Sequence, residues 1–189
     1  MDCETRPTNR TAIRSMAKHV RRMFGCRSDD EPFPVLHALE LLPDLFPNTT
    51  YNIVADTDLP ANVFARCYPK ADGGFEIEIK QSVYDGAFND NIPAFLSFIC
   101  HEICHVVMFY LGYMPISNRA VKDTNKIPPY KSVEWQAKAL CGEVTIPYEA
   151  TIGMTFEEIA EKYHVTKESA KYRVKYDSKK KNANIRKEG

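Results

Sequence analysis

The chain has no excess of charge of either sign, because 25 Lys and Arg residues balance 25 Asp and Glu residues in a length of 189. Residues 1–22 contain no apolar segment of the kind that a secretory signal peptide needs. Asp2 and Glu4 argue against a transit peptide, which is poor in acidic residues. The sequence also lacks internal repeats. We therefore expect a globular protein without a targeting segment.

The cysteines form no CxxC pair and no regular framework of the kind that staples small secreted domains. There are six of them: Cys3, Cys26, Cys67, Cys100, Cys104 and Cys141. This spacing favours a reduced, cytoplasmic protein. Cys100 and Cys104 are four residues apart and can touch on a helix, and we expect them to pack in the core rather than to bind a metal.

The content of hydrophobic residues, 44%, and of charged residues, 26%, is ordinary for a globular protein, so the chain can bury a sizeable core. Its length suits one compact domain followed by a small appendage. We place the domain at residues 1–150 and a helical appendage with a basic tail at residues 151–189.

The segment His101–His105 reads H-E-x-x-H. On an α-helix, residues four apart lie one turn apart on the same face, so His101 and His105 can direct their imidazole nitrogens to one metal ion. Glu102, beside the first histidine, can reach a water molecule on that metal and accept its proton. The spacing therefore predicts a zinc site with Glu102 as general base.

The motif lies inside a long apolar run, residues 91–112. Pro93 suits the first turn of a helix and Gly112 suits its end. Because the helix is apolar nearly all round, we expect it to be central and buried. Two histidines and a glutamate would be costly there without a function, and they interrupt the run, which argues against a membrane span.

Hydrophobic periodicity predicts helices near residues 10–24 and 33–42, the second ending near Pro43. Short strands follow at residues 51–55, 62–68 and 75–80, with a hairpin turn at Asp72. We expect residues 81–91 to form a loop before the H-E-x-x-H helix. The fold class is therefore α+β, with a small antiparallel sheet and one central helix.

The second half of the chain begins with a long connection, residues 113–131, which we expect to be functional. A helix resumes near Ser132 and ends before Pro147. Thr155 and Glu158 form a capping box, and Thr166 suits the N-cap of a further helix. The apolar pattern between residues 156 and 174 predicts two small helices similar to a helix-turn-helix.

A catalytic zinc needs three protein ligands and one open position. His164 is the only histidine after the motif, and it lies in the appendage. Glu134 is a better candidate, because it lies near the start of the next predicted helix. A carboxylate in that place resembles the third ligand of gluzincin-type peptidases, in which a second helix packs across the first.

The segment Glu134–Pro147 resembles the E-x-x-A-N-x-F-A-x-x-L-L-x-P segment of the ImmA/IrrE metallopeptidase family, which follows an H-E-x-x-H helix. Ile159–Ala170 is similar to the short I-A-x-x-x-x-V-S-x-x-A helical hairpin that comes next in that family. Three blocks thus match in order over about residues 90–175.

The resemblance implies a small cytoplasmic zinc peptidase of bacterial or phage origin, often carried by prophages or other mobile elements. It implies His101, His105 and Glu134 as zinc ligands and Glu102 as general base. It also implies a protein substrate, namely a helix-turn-helix transcriptional repressor whose cleavage relieves repression.

Two residues depart from the family pattern. Lys138 stands where Asn or Asp is common; an acceptor there can fix the tautomer of a ligand histidine, whereas Lys can only donate. Cys104 stands where Gly is common. These departures leave open a member that binds metal or a partner without hydrolysis.

Hydrolysis also needs a hydrogen-bond donor for the developing oxyanion, and Tyr130 and Tyr148, which flank the Glu134 helix, are the candidates. The strand at residues 75–80 can bind an extended substrate if it lies at a sheet edge.

The zero net charge hides an asymmetry, because residues 162–189 carry ten Lys and Arg against three acidic residues. This basic tail can bind nucleic acid or an acidic partner, or it can be a solvated terminus, which we favour. Three hypotheses remain: a zinc endopeptidase, a metal- or partner-binding regulator without hydrolysis, and a DNA-binding regulator. We expect no membrane association.

Overall fold

The computed structural model describes residues 2–71, 73–115 and 127–175, and the fold that they form is α+β, as the sequence predicts. The predicted turn residue Asp72, residues 116–126 of the predicted connection and residues 176–189 of the basic tail lie outside the described residues. In chain order the elements are α1 Arg10–Met23, α2 Val35–Leu45, β1 Thr50–Val54, β2 Ala65–Pro69, β3 Phe75–Lys80, α3 Gln81–Phe88, α4 Pro93–Tyr110, α5 Val133–Thr145, α6 Phe156–Tyr163 and α7, residues 167–175.

The sheet is mixed rather than antiparallel, which corrects part of the predicted fold. Its strand order is β1-β3-β2, with β3 parallel to β1 and antiparallel to β2. Alternating apolar residues predict a strand but not the direction of its partner, so the inserted position of β3 was not readable from the sequence. Because β3 is the central strand, it is not an edge on which a substrate could pair.

Two helix boundaries also differ from the predictions. Residues 81–88 form α3 instead of a loop. Pro43 lies within the last turn of α2, which continues to Leu45. Proline lacks one backbone N–H, but Leu39 and Leu42 of the same helix are buried in the core, and their packing supports the helix up to Leu45.

Helix α4 is the central element, as predicted. Pro93 occupies its first turn, and Gly112 follows its end with a φ of +84°, a conformation that favours glycine. By length and composition alone α4 could cross a membrane, but core helices of globular proteins meet the same two criteria. It contacts β2, β3, α2, α3 and α5, and its side chains form the centre of the main apolar core.

Helix α5 crosses α4 and carries Glu134 in its first turn. The Ser132 hydroxyl caps the helix by accepting from the Trp135 backbone N–H at 2.9 Å. The N-terminal segment runs alongside this start: the Thr5 N–H donates to the Lys131 carbonyl at 2.7 Å and the Val133 N–H to the Cys3 carbonyl at 3.1 Å. The N-terminal segment therefore holds the chain just before and just after Ser132, at the start of the helix that carries Glu134.

Helices α6 and α7 form the predicted small hairpin. Thr155 and Glu158 make the capping box, and the Thr166 hydroxyl accepts from the Ser169 N–H at 3.1 Å. The apolar residues of the hairpin form a cluster of their own with Ile146. Arg173 of α7 donates to the buried Glu143 carboxylate of α5 at 3.1 Å, which joins the hairpin to the rest of the chain. The division at residue 150 stays a prediction.

Candidate metal centre

The side chains of His101, His105 and Glu134 meet at one point between α4 and α5. The two Nε2 atoms are 3.1 Å apart. The Glu134 carboxylate oxygens lie 3.4 Å from Nε2 of His101 and 3.5 Å from Nε2 of His105. The structure thus brings together the three residues that the sequence predicts as metal ligands.

These separations fit a tetrahedral zinc ion. Nitrogen and oxygen ligands bind zinc at about 2.0–2.1 Å, so at tetrahedral angles their atoms lie roughly 3.3 Å from each other. The observed distances of 3.1, 3.4 and 3.5 Å bracket that value. Two imidazoles and one carboxylate are also a donor set that catalytic zinc sites use. The residues present therefore fit the ion without rearrangement.

Helix geometry explains why the three donors converge. His101 and His105 are one turn apart on α4, and their rings meet edge to face with centroids 4.7 Å apart. Glu134 comes from the first turn of α5, and its backbone N–H donates to the Asp2 carboxylate at 3.1 Å. Asp2 also accepts from the Ser132 hydroxyl at 2.6 Å. The ligand carboxylate therefore projects from an anchored helix start.

The charges of the three groups support one another. Hydrogen bonds from His101 and His105 hold the pKa of the Glu134 carboxyl well below its ordinary value, although partial burial opposes this. Burial alone would lower the pKa of His101, but the hydrogen bond to Glu134 and the negative charge of Glu102 outweigh it and raise that pKa. The lowered pKa of Glu134 and the raised pKa of His101 both favour an ionised carboxylate beside a positive charge.

Glu102 lies beside the centre and is oriented by the sheet. The backbone N–H of Cys67 in β2 donates to its carboxylate. Burial raises the pKa of Glu102, and the neighbouring histidines and this hydrogen bond offset the shift only in part. A carboxylate with a raised pKa is a stronger base than an exposed one, which suits proton transfer near neutral pH.

The other predicted site residues lie at different distances from this centre. Tyr130 is half exposed in the turn before α5, and its role as oxyanion donor stays a prediction. The structure does not bring Tyr148 to the centre: it follows the far end of α5, and the Arg14 guanidinium lies 3.4 Å over its ring. The two ends of α5 are roughly 18 Å apart at about 1.5 Å per residue, so Tyr148 lies too far from the centre to donate to an oxyanion there.

The two departures from the family pattern have different surroundings. Lys138 is exposed, one turn after Glu134 on α5. Cys104 is buried against Cys100 and Cys141, whose sulfur atoms all lie within 4.8 Å of one another. Cys104 therefore fills the helix interface and not the histidine face.

Sequence reasoning missed two contributions to this centre. The Asp2 carboxylate holds the start of α5 from 132 residues away in sequence, and no local pattern signals such a contact. The Cys67 N–H belongs to the backbone, so only the placement of β2 beside α4 reveals it. The thiol cluster had a partial signal, because Cys141 lies seven residues, or about two turns, after Glu134 on the same side of α5.

The comparison with known protein families gives a match over the second half of the chain. The model of a peptidase family, described as the IrrE N-terminal-like domain, matches residues 96–175. This span runs from α4 to α7 and includes His101, Glu102, His105 and Glu134. Searches of curated proteins and of solved structures returned no match.

Proposed function

Through residues 96–175 the chain belongs to the ImmA/IrrE family of peptidases, and on that premise we propose that it is a zinc-dependent endopeptidase. The observation that carries the proposal is the convergence of His101, His105 and Glu134 at separations that a tetrahedral zinc requires. All three residues lie within the span that the family model matches.

In this proposal His101, His105 and Glu134 hold the ion and leave one coordination position open. Zinc, when bound, supplies a Lewis acid that polarises the scissile carbonyl and lowers the pKa of water to about 7. The low pKa of Glu134 keeps its carboxylate ionised for binding at neutral pH.

Glu102 acts as the general base and then as the general acid. Its carboxylate accepts the proton of the attacking water and delivers it to the leaving amine. The hydrogen bond from the Cys67 backbone N–H helps to hold the carboxylate in place. Tyr130, at the start of the Glu134 helix, is our candidate donor to the oxyanion.

Strand β2 is the sheet edge that borders the centre. It pairs with β3 on one side, and it contacts α4 through the residues around Cys67. Phe64, just before β2, stacks on Phe98 of α4 with ring centroids 4.5 Å apart and is partly exposed. An extended substrate backbone that lies along β2 would pass Glu102, with an apolar side chain against Phe64.

We further propose that the substrate is a helix-turn-helix transcriptional repressor in the cytoplasm and that the gene belongs to a prophage or another mobile element. This part is supported by the family alone. The α6–α7 hairpin would position the repressor rather than bind DNA, because its Arg173 and Tyr163 contact the rest of the chain: Tyr163 donates to the Asp29 carbonyl at 3.0 Å.

The test compares the native chain with Glu102→Gln and with Glu157→Gln, an exposed carboxyl of α6 that serves as control. Each zinc-loaded protein is incubated with purified helix-turn-helix repressors encoded next to it, and fragments are identified by mass spectrometry. We expect cleavage by the native chain and by Glu157→Gln, and at least about a 100-fold loss in Glu102→Gln with zinc content unchanged. A Glu102→Gln variant that keeps full biological activity contradicts the peptidase and favours a metal- or partner-binding regulator.

A further inference from the structure

A second cluster of metal-binding atoms lies in the same helix pair. The sulfur atoms of Cys100, Cys104 and Cys141 all lie within 4.8 Å of one another, and the three residues carry free thiols. Their exposed fractions are 0%, 1% and 8%. No His or carboxylate of the described residues joins this group.

Helix geometry turns the two thiols of α4 away from the first centre. Cys100 and Cys104 each precede a ligand histidine by one residue, which rotates them about 100° around α4. Cys141 lies on α5, whose packing against α4 completes the cluster. The surrounding side chains belong to the main apolar core, and the Cys141 sulfur also lies 4.0 Å from the Ser97 carbonyl oxygen.

The donor set selects for soft ions. Thiolates prefer soft acceptors over the harder ions that oxygen ligands bind. Three sulfurs bound at about 2.3 Å to one acceptor lie roughly 3.4 Å apart in a pyramidal arrangement and roughly 3.8 Å apart in a tetrahedral one. The observed sulfurs lie within 4.8 Å of one another, so they need to approach by about 1 Å. With no fourth ligand from the described residues, an acceptor that is satisfied by three sulfurs fits best.

Burial selects among such acceptors by charge. Three thiolates around a monovalent or divalent ion leave net negative charge in the helix interface, and a buried uncompensated charge is costly. Three thiolates around trivalent arsenic leave no net charge. Arsenous acid and three thiols give an arsenic trithiolate and three waters: three As–O and three S–H bonds break, three As–S and three O–H bonds form, and nothing is oxidised or reduced.

We propose that Cys100, Cys104 and Cys141 form a binding site for a thiophilic ion that takes three sulfur ligands, with trivalent arsenic as the best match. The site is separate from the zinc centre, since it uses other side chains of α4 and α5. Its occupation ties α4 to α5 and raises the thermal unfolding midpoint, because a ligand that binds only the folded state stabilises it.

The experiment uses two reciprocal variants under reducing conditions. One replaces Cys3, Cys26 and Cys67 by Ala and keeps the cluster; the other replaces Cys100, Cys104 and Cys141 by Ala and keeps the remaining thiols. Each is incubated with arsenite, both when folded and during refolding from denaturant, so that slow entry into a buried site is not mistaken for absence of the site.

We expect the first variant to gain the mass of one arsenic less three hydrogens and to show a raised unfolding midpoint. The second should do neither. Circular dichroism checks its fold, and single replacements of Cys104 and Cys141, which disturb packing less, should each lose the mass gain, whereas Cys26→Ala, at a buried cysteine outside the cluster, should keep it.

Two results overturn the proposal. Equal arsenic uptake by both variants would show that the scattered thiols account for binding. Cd²⁺ uptake is measured by the sulfur-to-metal absorption band. Uptake of Cd²⁺ without uptake of arsenite would show that the neutrality of the complex does not determine which acceptor the site binds.

Discussion

The α4–α5 pair carries two groups of metal-binding side chains, an open side with nitrogen and oxygen donors and a thiol side with sulfur donors, and these differ most in their contact with solvent. The Glu134 side chain is 50% exposed, whereas Cys100 is 0% exposed. His101 and Cys100 are neighbours in sequence, so a rotation of about 100° around one helix separates an open centre from a closed one. Solvent access makes the first side suitable for hydrolysis and confines the second to binding.

The largest effect that separates the two sides is expected from Glu134→Ala. Loss of one of three ligands should reduce zinc affinity by more than about 100-fold, since even outer partners of ligands contribute 10–100-fold. Zinc content per purified chain measures this. Cys141→Ala, two turns further along α5, should retain zinc, and equal zinc loss in both variants would mean that the two sides form one site.

A large effect on stability is expected on the buried side. Leu140 is 0% exposed beside the thiol cluster, and Leu140→Ala should lower the free energy of unfolding by about 2–5 kcal/mol through lost burial and a cavity. Lys138→Ala, exposed on the same helix, should stay within about 0.5 kcal/mol. Denaturant titration measures both, and similar values for the two variants would contradict the assigned burial of α5.

The same contrast explains what was predictable from the sequence. His101, Glu102 and His105 form a local pattern, because the helix alone fixes their relation. Glu134 needed the resemblance to a known family, since no rule of spacing links residues on two different helices. The α+β class followed from periodicity, which reports each element separately.

The parts that were not predicted depend on contacts distant in sequence. The parallel pairing of β1 with β3 depends on where the chain returns, and alternation along one strand does not record it. The hydrogen bond between the Glu134 N–H and the Asp2 carboxylate depends on the tertiary fold alone. The expectation that Cys100 and Cys104 pack in the core agrees with their burial, but the third thiol, from Cys141, appears only when α5 is placed on α4.

A smaller effect is expected from Asp2→Ala, which tests whether the open side depends on the anchored start of α5. The Asp2 carboxylate accepts from the Ser132 hydroxyl at 2.6 Å and the Glu134 N–H at 3.1 Å. Its loss should cost about 1 kcal/mol of stability, as for a helix cap, and about tenfold in zinc affinity. Calorimetric zinc titration measures the affinity. Asp2→Asn, which keeps an acceptor oxygen, should recover most of it, and failure to recover would assign the effect to charge.

The smallest effect is expected from pH on the stability of the metal-free protein, because Glu134 is half exposed and solvent screens its charge. The pKa of Glu134 is lowered by its hydrogen bonds to the two histidines, so its stabilising contribution is present above the ordinary value of 4.5 and is lost as pH falls towards the lowered value. The pKa of His101 is raised by Glu134 and Glu102 against the effect of burial, so its contribution is present below the ordinary value of 6.5 and is lost as pH rises past the raised value.

In the metal-free protein the two contributions overlap between about pH 4.5 and 6.5, and the unfolding midpoint should be highest there. Zinc reverses the loss of stability above pH 6.5, because a histidine must be neutral to bind it. At a fixed zinc concentration the stabilisation by zinc should therefore increase from pH 6 to pH 8. The zinc affinity should rise roughly tenfold per pH unit for each proton that binding releases. Thermal unfolding across this range, with and without zinc, measures both trends. Cys26→Ala, at a buried cysteine outside both groups of metal-binding side chains, should shift neither curve along the pH axis; a displaced zinc curve in that variant would show that the trend does not come from the histidines of the centre.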